Sequence, residues 1–243
     1  MQAPADDDRH HRPDDHLSRP PDEEFPDPWP LGRLVLRTPR LELRPDDDDG
    51  LRELIAESHR GVHDPATMPF LDPWTDAPPE ELGVRSLRFY WRARADLRPD
   101  DWLVNFVVRL DGEVVGTQGL RAREFPVLRQ VSSGSWVGLR FQGKGIGTEM
   151  RAAVLHLAFD HLGALGARSS AFRDNHASIA VSRKLGYVDD GTQAASRRGL
   201  PGVLVRSFLT PQRFREHGPP WTTEVSGLGE RCRAQLGAIR TAD

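Results

Sequence analysis

Alternation of apolar and polar residues marks the first clear element of the chain. Leu34–Arg44 (LVLRTPRLELR) places apolar side chains at every second position on both sides of Pro39, which predicts an edge strand interrupted at the proline. Asp46–Asp49 supply capping and first-turn acids for a helix running to about Ser58. Residues 61–75 (GVHDPATMPFLDPWT) are broken by prolines yet rich in Met, Phe, Leu and Trp, so a loop packed over something is expected. Pro78, Pro79, Glu80 and Glu81 open a second helix, expected to reach Leu97. Trp102–Leu110 and Glu113–Leu120 alternate on either side of Asp111-Gly112, the pattern of a hairpin with a type I′ turn.

A further strand is predicted at Gln130–Leu139, then a glycine-rich turn, then a helix over 145–162. Ile146, Met150, Val154, Leu157 and Ala158 share one face of that helix, and Gly163 and Gly166 end it. Arg168–Phe172 reads as a strand, Asn175–Lys184 as a short helix and Val203–Leu209 as a last strand. The order β-α-α-β-β-β-α-β-α-β predicts a mixed α/β sheet. Residues 211–243 read as a Pro- and Gly-punctuated C-terminal extension, and 29–210 as one domain.

Composition changes this picture at one end. The net charge is −3, but residues 1–27 carry nine acids against three arginines, which leaves the remainder at +3. Residues 1–28 are therefore expected to form an acidic, disordered leader. A body at +3 does not favour nucleic acid as a partner, though a small anionic ligand fits. No apolar run approaches membrane-spanning length, so no membrane partner is expected. The lone Cys232 excludes an internal disulfide and suits a reducing cytoplasm. Nine histidines without an HExxH frame give no metal site.

Candidate chemistry centres on Arg140-Phe141-Gln142-Gly143-Lys144-Gly145-Ile146-Gly147 between a strand and a helix. Glycines allow close backbone approach, and the first amides of a helix present unpaired N–H groups and a positive dipole end to an anion. Arg140, Lys144 and Thr148 can add to this. The octamer nearly spells a P-loop from Gly138 to Lys144, but Gly145 stands where Ser or Thr must hold magnesium. The dinucleotide fingerprint fails on glycine spacing. By itself the octamer is also compatible with a plain strand-to-helix turn. It does fit R/Q-x-x-G-x-G/A, a motif that binds pyrophosphate.

That motif, together with Arg173-Asp174-Asn175-His176-Ala177-Ser178 running to Lys184-Leu185-Gly186-Tyr187 and the entry strand LRTPRLELRP, resembles RimJ/RimL-type enzymes of the GNAT superfamily of N-acyltransferases over Leu34–Leu209. The segments GVHDP, PWT, DDW and SGSW with GTEMRAAVL are similar to a mycobacterial succinyl-CoA-dependent succinyltransferase of that superfamily. The resemblance implies the GNAT fold: a mixed central sheet splayed between its fourth and fifth strands, with helices on both faces and CoA in the cleft. Acetyl-CoA or succinyl-CoA would be the co-substrate, with no metal. The acceptor would be a primary amine of a small molecule or protein. The backbone of Trp136, Val137, Gly138 and Leu139 would pair with pantetheine. The turn Arg140, Gln142, Gly143, Lys144, Gly145, Ile146, Gly147 and Thr148 would hold the pyrophosphate. Asn175 would bond pantetheine, with Ser178 beside it. Ser182 occupies the position where many relatives carry the tyrosine acid, a departure that leaves the general acid open.

A protonated amine must lose a proton before attack, and Glu124, Asp64 and His63 are the candidate bases. Each equally reads as a solvated loop carboxylate or a capping histidine. A main-chain N–H near Gly138 is expected to stabilise the oxyanion. Gln118 and Ser133 can line the acceptor side or simply face solvent. Phe70, Trp74, Phe89 and Trp91 can roof the acceptor pocket, fill the core or meet a second copy in a homodimer. Two other readings stand beside the enzyme: a non-catalytic CoA-binding module, and a transferase using aminoacyl-tRNA, which the charge does not favour.

Overall fold

A computed structural model describes residues 26–238, so the expected leader lies outside the described residues except for its last three positions. The strands are β1 (Val35–Arg37), β2 (Leu41–Pro45), β3 (Asp101–Leu110), β4 (Glu113–Arg123), β5 (Gln130–Val137), β6 (Gly166–Phe172), β7 (Val188–Arg197), β8 (Leu200–Leu209) and β9 (Glu224–Ser226). They form one mixed, open sheet in the order β7-β8-β6-β5-β4-β3-β2-β1-β9. The helices are α1 (Asp48–His59), α2 (Pro79–Ala95), α3 (Phe125–Leu128), α4 (Ile146–His156), α5 (His176–Lys184), α6 (Pro211–His217) and α7 (Glu230–Gln235).

Strand alternation divides the helices between the two faces. Phe106, Val108, Leu120 and Val131 point toward α4 and join Met150, Val154 and Leu155 in the main core. Val107 points the other way and packs with Leu51 and Leu54 of α1 and Tyr90 of α2. The DG hairpin is present as expected, with both turn residues at positive φ, Asp111 at 51° and Gly112 at 84°.

The sheet parts where the sequence resemblance placed the gap. β5 and β6 are the sheet's parallel pair, joined through Gln130↔Gly166, Val131↔Ala167 and Ser132↔Arg168. Beyond these residues β6 pairs with β8 on its other side, while β5 continues against β4 as far as Val137. The opening therefore starts at Ser133 and Ser169.

Several elements differ from expectation. Leu34–Arg44 is a two-stranded hairpin turning at Pro39, and β1 is covered by β9, so it is not an edge strand. The long helix over 145–162 changes to a π-helical turn at Leu157–His161 before Gly163 at φ 72°. The last strand begins at Leu200 and pairs with β7, which has no counterpart in the expected order. Residues 211–238 are built into the fold. Phe214, Cys232 and Leu236 are buried in the main core, and Trp102 Nε1 donates to the Leu236 carbonyl at 3.0 Å.

Candidate active site

The glycine-rich turn leaves β5 through a short 3-10 segment (Leu139–Phe141) and enters α4. Gly143 and Gly145 sit at φ 75° and 81°, a left-handed conformation that side chains resist. The amides of residues 143–147 have no hydrogen-bond acceptor among the described residues, whereas those of Thr148 and Glu149 bond the Gly145 carbonyl. Five unpaired donors on an exposed turn at a helix start form a seat suited to an anion.

Two arginines shape this seat in ways the sequence did not disclose. Arg40, in the β1–β2 turn, donates to Glu149 at 2.7 Å and to the Lys144 carbonyl at 3.1 Å. Thr38 Oγ1 donates to the other Glu149 oxygen at 2.6 Å. The first strand hairpin thus clamps the turn and neutralises the acid in the first helical turn, which would otherwise oppose an anion. Arg140, expected at the phosphate, instead points away. Its guanidinium binds Glu57 and Glu113, each at 2.7 Å, and lies 4.3 Å from the Phe141 ring centroid. Burial raises the Glu57 pKa, but hydrogen bonds from Arg140 and Arg60 outweigh that and hold it below the ordinary value. Lys144 makes no ion pair among the described residues and remains the available cation of the turn.

Gly138 earns its place by close approach: a Cβ there would lie 2.1 Å from Glu57 Oε1. Its N–H donates to the Val115 carbonyl at 2.9 Å, and that of Leu139 to the Gly61 carbonyl at 2.9 Å. Neither amide is available as the expected oxyanion donor. Backbone groups alternate along a strand, so Trp136 also faces β4 while Ser133, Ser135 and Val137 turn theirs to the opening. Within Trp136–Leu139, Val137 is therefore the residue with pairing capacity toward the gap. Gln142 works through its side chain, donating from Nε2 to the carbonyls of Val62 (2.7 Å) and Val137 (2.8 Å).

Asn175 caps α5, its Oδ1 accepting from the Ser178 amide at 3.1 Å, which leaves the Nδ2 group for a ligand. Ser182 is buried one turn beyond Ser178, whose carbonyl it approaches at 3.2 Å.

The other face of the parted sheet carries a floor of Asn105, Gly119 and Gly134 in register across β3, β4 and β5. Gly134 is exposed, and a Cβ there would meet nothing within 4 Å. Asn105 Nδ2 and Arg121 Nε beside this floor are buried without a hydrogen-bond partner. A ring series His63, Phe70, Trp74 and Trp136, at centroid spacings of 5.5, 5.4 and 5.8 Å, leads from the 61–75 loop onto β5. Phe70 and Trp74 thus lie together in this series, whereas Phe89 and Trp91 are half exposed on α2. Gln118 and Ser133 lie on the α4 face instead, because they alternate with Gly119 and Gly134.

The candidate bases are dispersed. Glu124 lies in the turn into α3, beyond the paired end of the sheet rather than at its opening. Asp64 shapes its own turn, accepting from the Ala66 amide at 2.9 Å. Both nitrogens of His63 are engaged, with the Asp64 carbonyl at 2.8 Å and Thr75 Oγ1 at 2.7 Å. Arg198, at the tip of the β7–β8 hairpin, grips Asp76 through two bonds of 2.7 and 2.6 Å and so joins the β7–β8 arm of the sheet to the 61–75 loop region. Among the described residues, no group of three or more His, Cys, Asp or Glu is placed to hold a metal ion, and no helix is long and apolar enough to cross a membrane.

An open mixed sheet that parts beside a glycine-rich turn is the arrangement of the GNAT fold. Residues 33–188 match the acetyltransferase (GNAT) domain, and the chain belongs to that family. Similar solved structures include Mycobacterium smegmatis RimJ in complex with CoA-disulfide, at 24% identity and a TM-score of 0.61, covering 75% of this chain and 90% of that one. RimL, a ribosomal L7/L12 alpha-N-protein acetyltransferase in complex with CoA, matches at 19% identity and 0.58, covering 72% and 97%. A spermidine N-acetyltransferase chimera of Vibrio cholerae SpeG and hSSAT matches at 17% and 0.57, covering 72% and 98%.

Proposed function

We propose that this protein transfers an acyl group from acetyl-CoA or succinyl-CoA to a primary amine of a small molecule or a protein, in the cytoplasm. The observation that carries the reading is the continuity of two features: the unpaired amides of residues 143–147, and the open β5 edge that leads from them to the point where the sheet parts. From Val137 back to Ser133 is about 13 Å of strand, a length suited to an extended pantetheine arm. The thioester would then lie at the parting point, between Ser182 on one face and the Gly134 floor on the other. Asn105 Nδ2 and Arg121 Nε, buried beside that floor without a hydrogen-bond partner while the outer end of the Arg121 guanidinium lies 3.6 Å from Asp101, favour a carboxylate on the acyl group, since buried donors seek acceptors.

Thioester turnover with a panel of amines, followed as release of free thiol, tests the reading. Turnover with at least one amine is expected, and CoA binding without turnover on any amine would leave a binding module. The donor is tested separately: a kcat/KM for succinyl-CoA above that for acetyl-CoA is expected, and the reverse order removes the carboxylate assignment.

A further inference from the structure

Among the described residues, one arginine is buried without an acid. Arg151 lies on the second turn of α4, inside the otherwise apolar run Met150–Leu155, and is 5% exposed. Its Nη1 donates to Ser182 Oγ at 2.8 Å, and its Nε is buried with no partner. No Asp or Glu among the described residues pairs with it. A guanidinium keeps its charge when buried, and an uncompensated interior charge is strongly unfavourable, so the fold tolerates it for a reason other than stability.

The surroundings point to that reason. Arg151 follows Gly147 by four residues and so shares its face toward α5, where Gly147 approaches Val181. Ser182 Oγ accepts from Arg151, and its own O–H is aimed at the Ser178 carbonyl at 3.2 Å or Ser169 Oγ at 3.4 Å, long bonds that it would exchange for an anionic acceptor. Tyr187 is buried with its hydroxyl facing Ser133 and near Arg151, and neither the Tyr187 hydroxyl nor Ser133 Oγ has a partner other than one another. Ser133 and Ser169 are the first residues past the last paired positions of β5 and β6. A fixed positive charge and several O–H donors therefore converge where the sheet parts.

We propose that Arg151 makes this point an electropositive socket for the CoA sulfur, holding it as a thiolate through the Ser182 hydroxyl, with the Tyr187 and Ser133 hydroxyls as further donors. The inference rests on the acyl-CoA reading above. In the step concerned, the amine nitrogen forms a bond to the thioester carbonyl carbon. The C–S bond then breaks with its electron pair going to sulfur. The proton lost by the amine balances the thiolate, and the products are the amide and CoA thiol. Arg151 is a positioning residue here, acting through Ser182. It fills the role of a neutral acid by charge: the sulfur is stabilised as an anion before it takes up a proton.

Free CoA bound to the protein provides the test, because its thiol reports the socket without any turnover. Thiolate absorbance is titrated in the complex, with S-methyl-CoA as the blank. Other titratable groups on the packed elements lie apart: Glu149 is held by Arg40, Arg168 pairs with Asp190, His156 contacts Thr223, and His176, Arg183 and Lys184 are exposed. Burial raises the Tyr187 pKa, so its ionisation stays above the thiol window.

In the wild type the bound thiol is expected to titrate about 1 to 2 units below that of free CoA measured in the same buffer. In Arg151→Met it returns to that value or higher, and in Arg151→Lys it lies between. The kcat of Arg151→Met falls about ten- to a hundredfold with donor KM nearly unchanged, while its Tm is equal or higher, because a buried charge has been replaced by an apolar chain of similar size. A merely structural arginine predicts a lower Tm in step with lost activity and an unshifted thiol, and that pattern overturns the proposal. So does a loss of succinyl-CoA preference in Arg151→Met with an unshifted thiol, which would assign Arg151 to the acyl carboxylate. If free CoA fails to bind the wild type at all, this inference and the coenzyme reading fall together; binding with an unshifted thiol overturns this inference alone.

Discussion

Gly145 offers a way to separate backbone conformation from charge at the glycine-rich turn. It caps α4 at φ 81°, and a Cβ there would lie 3.5 Å from an Arg40 nitrogen, so a small side chain fits with strain but without collision. Asn and Asp both tolerate a left-handed backbone, at a cost of about 1 kcal/mol. Gly145→Asn and Gly145→Asp therefore share their conformational penalty and differ by one negative charge. Two unit charges 4 Å apart interact by about 4 kcal/mol at an effective dielectric near 20 and about 1 kcal/mol in water. The turn is exposed, so a value between these, about 3 kcal/mol against a doubly charged diphosphate, is appropriate. Arg40 would offset little of it, being already bound to Glu149 and the Lys144 carbonyl.

The expected result is a Kd for CoA about a hundredfold weaker in Gly145→Asp than in Gly145→Asn, with the Asn variant within about tenfold of the wild type. Calorimetry on variants of matched Tm measures it. Repeating the titration at about 1 M salt, where the Debye length is about 3 Å, should shrink the gap between the two variants markedly. Equal affinities for the Asn and Asp variants at low salt would refute the placement of a diphosphate at this turn. A gap that persists unchanged in salt would mean that shape, and not charge, distinguishes them.

Two other outcomes follow from the description above. Asp46, 7% exposed at the end of β2, has its pKa raised to about 7 by burial, against the opposing pull of Arg94 at 3.2 Å. A carboxyl whose folded pKa exceeds its unfolded one favours folding while protonated, so that contribution is complete below pH ~4 and lost as pH rises through 7. The ceiling is about 4 kcal/mol, and Asp46→Asn should be the more stable protein at pH 8 with a flatter profile from pH 4 to 8 in denaturant unfolding; an unchanged profile refutes the shift. Removing the bridge between the β7–β8 arm and the 61–75 loop region with Arg198→Ala should raise acceptor KM about three- to tenfold with little change in kcat or Tm, and an unchanged KM would mean the hairpin tip does not border the acceptor.

The sequence made legible those features whose local signal and structural role coincide. Asp111-Gly112 forms the hairpin turn because both positions need positive φ, and Gly143 and Gly145 sit in the turn for the same reason. The start of α5 was legible at Asn175, which the structure shows to be its cap. β7 was not, because Val188–Arg197 is an exposed edge strand held by backbone bonds to β8, and its side chains carry no alternation to read. Arg198-Gly199 makes its tight turn with an arginine at φ 51°, a residue that gives no turn signal. β9 is three residues long and forms because β1 presents an edge, a fact that exists only once the chain is folded.

Partners distant in sequence explain the remaining differences at the site. Arg140 looked like a phosphate ligand because it begins the motif, yet Glu57, 83 residues earlier, is buried against it and competes for the guanidinium. Gly138 permits that approach, so one glycine sets both the position of Glu57 and the direction in which Arg140 points. Arg40 shows the reverse case: an unremarkable residue in a strand turn becomes the clamp on Glu149, 109 residues later. Charge near the turn is thereby matched, Arg40 by Glu149 and Arg140 by Glu57 and Glu113. The unpaired donors that remain are Lys144 and the five amides. Arg151 did carry a local signal, a lone cation within Met150–Leu155 one turn past the glycines. In an apolar helix face that residue is either a solvated edge or a buried charge, and only its 5% exposure decides for the second.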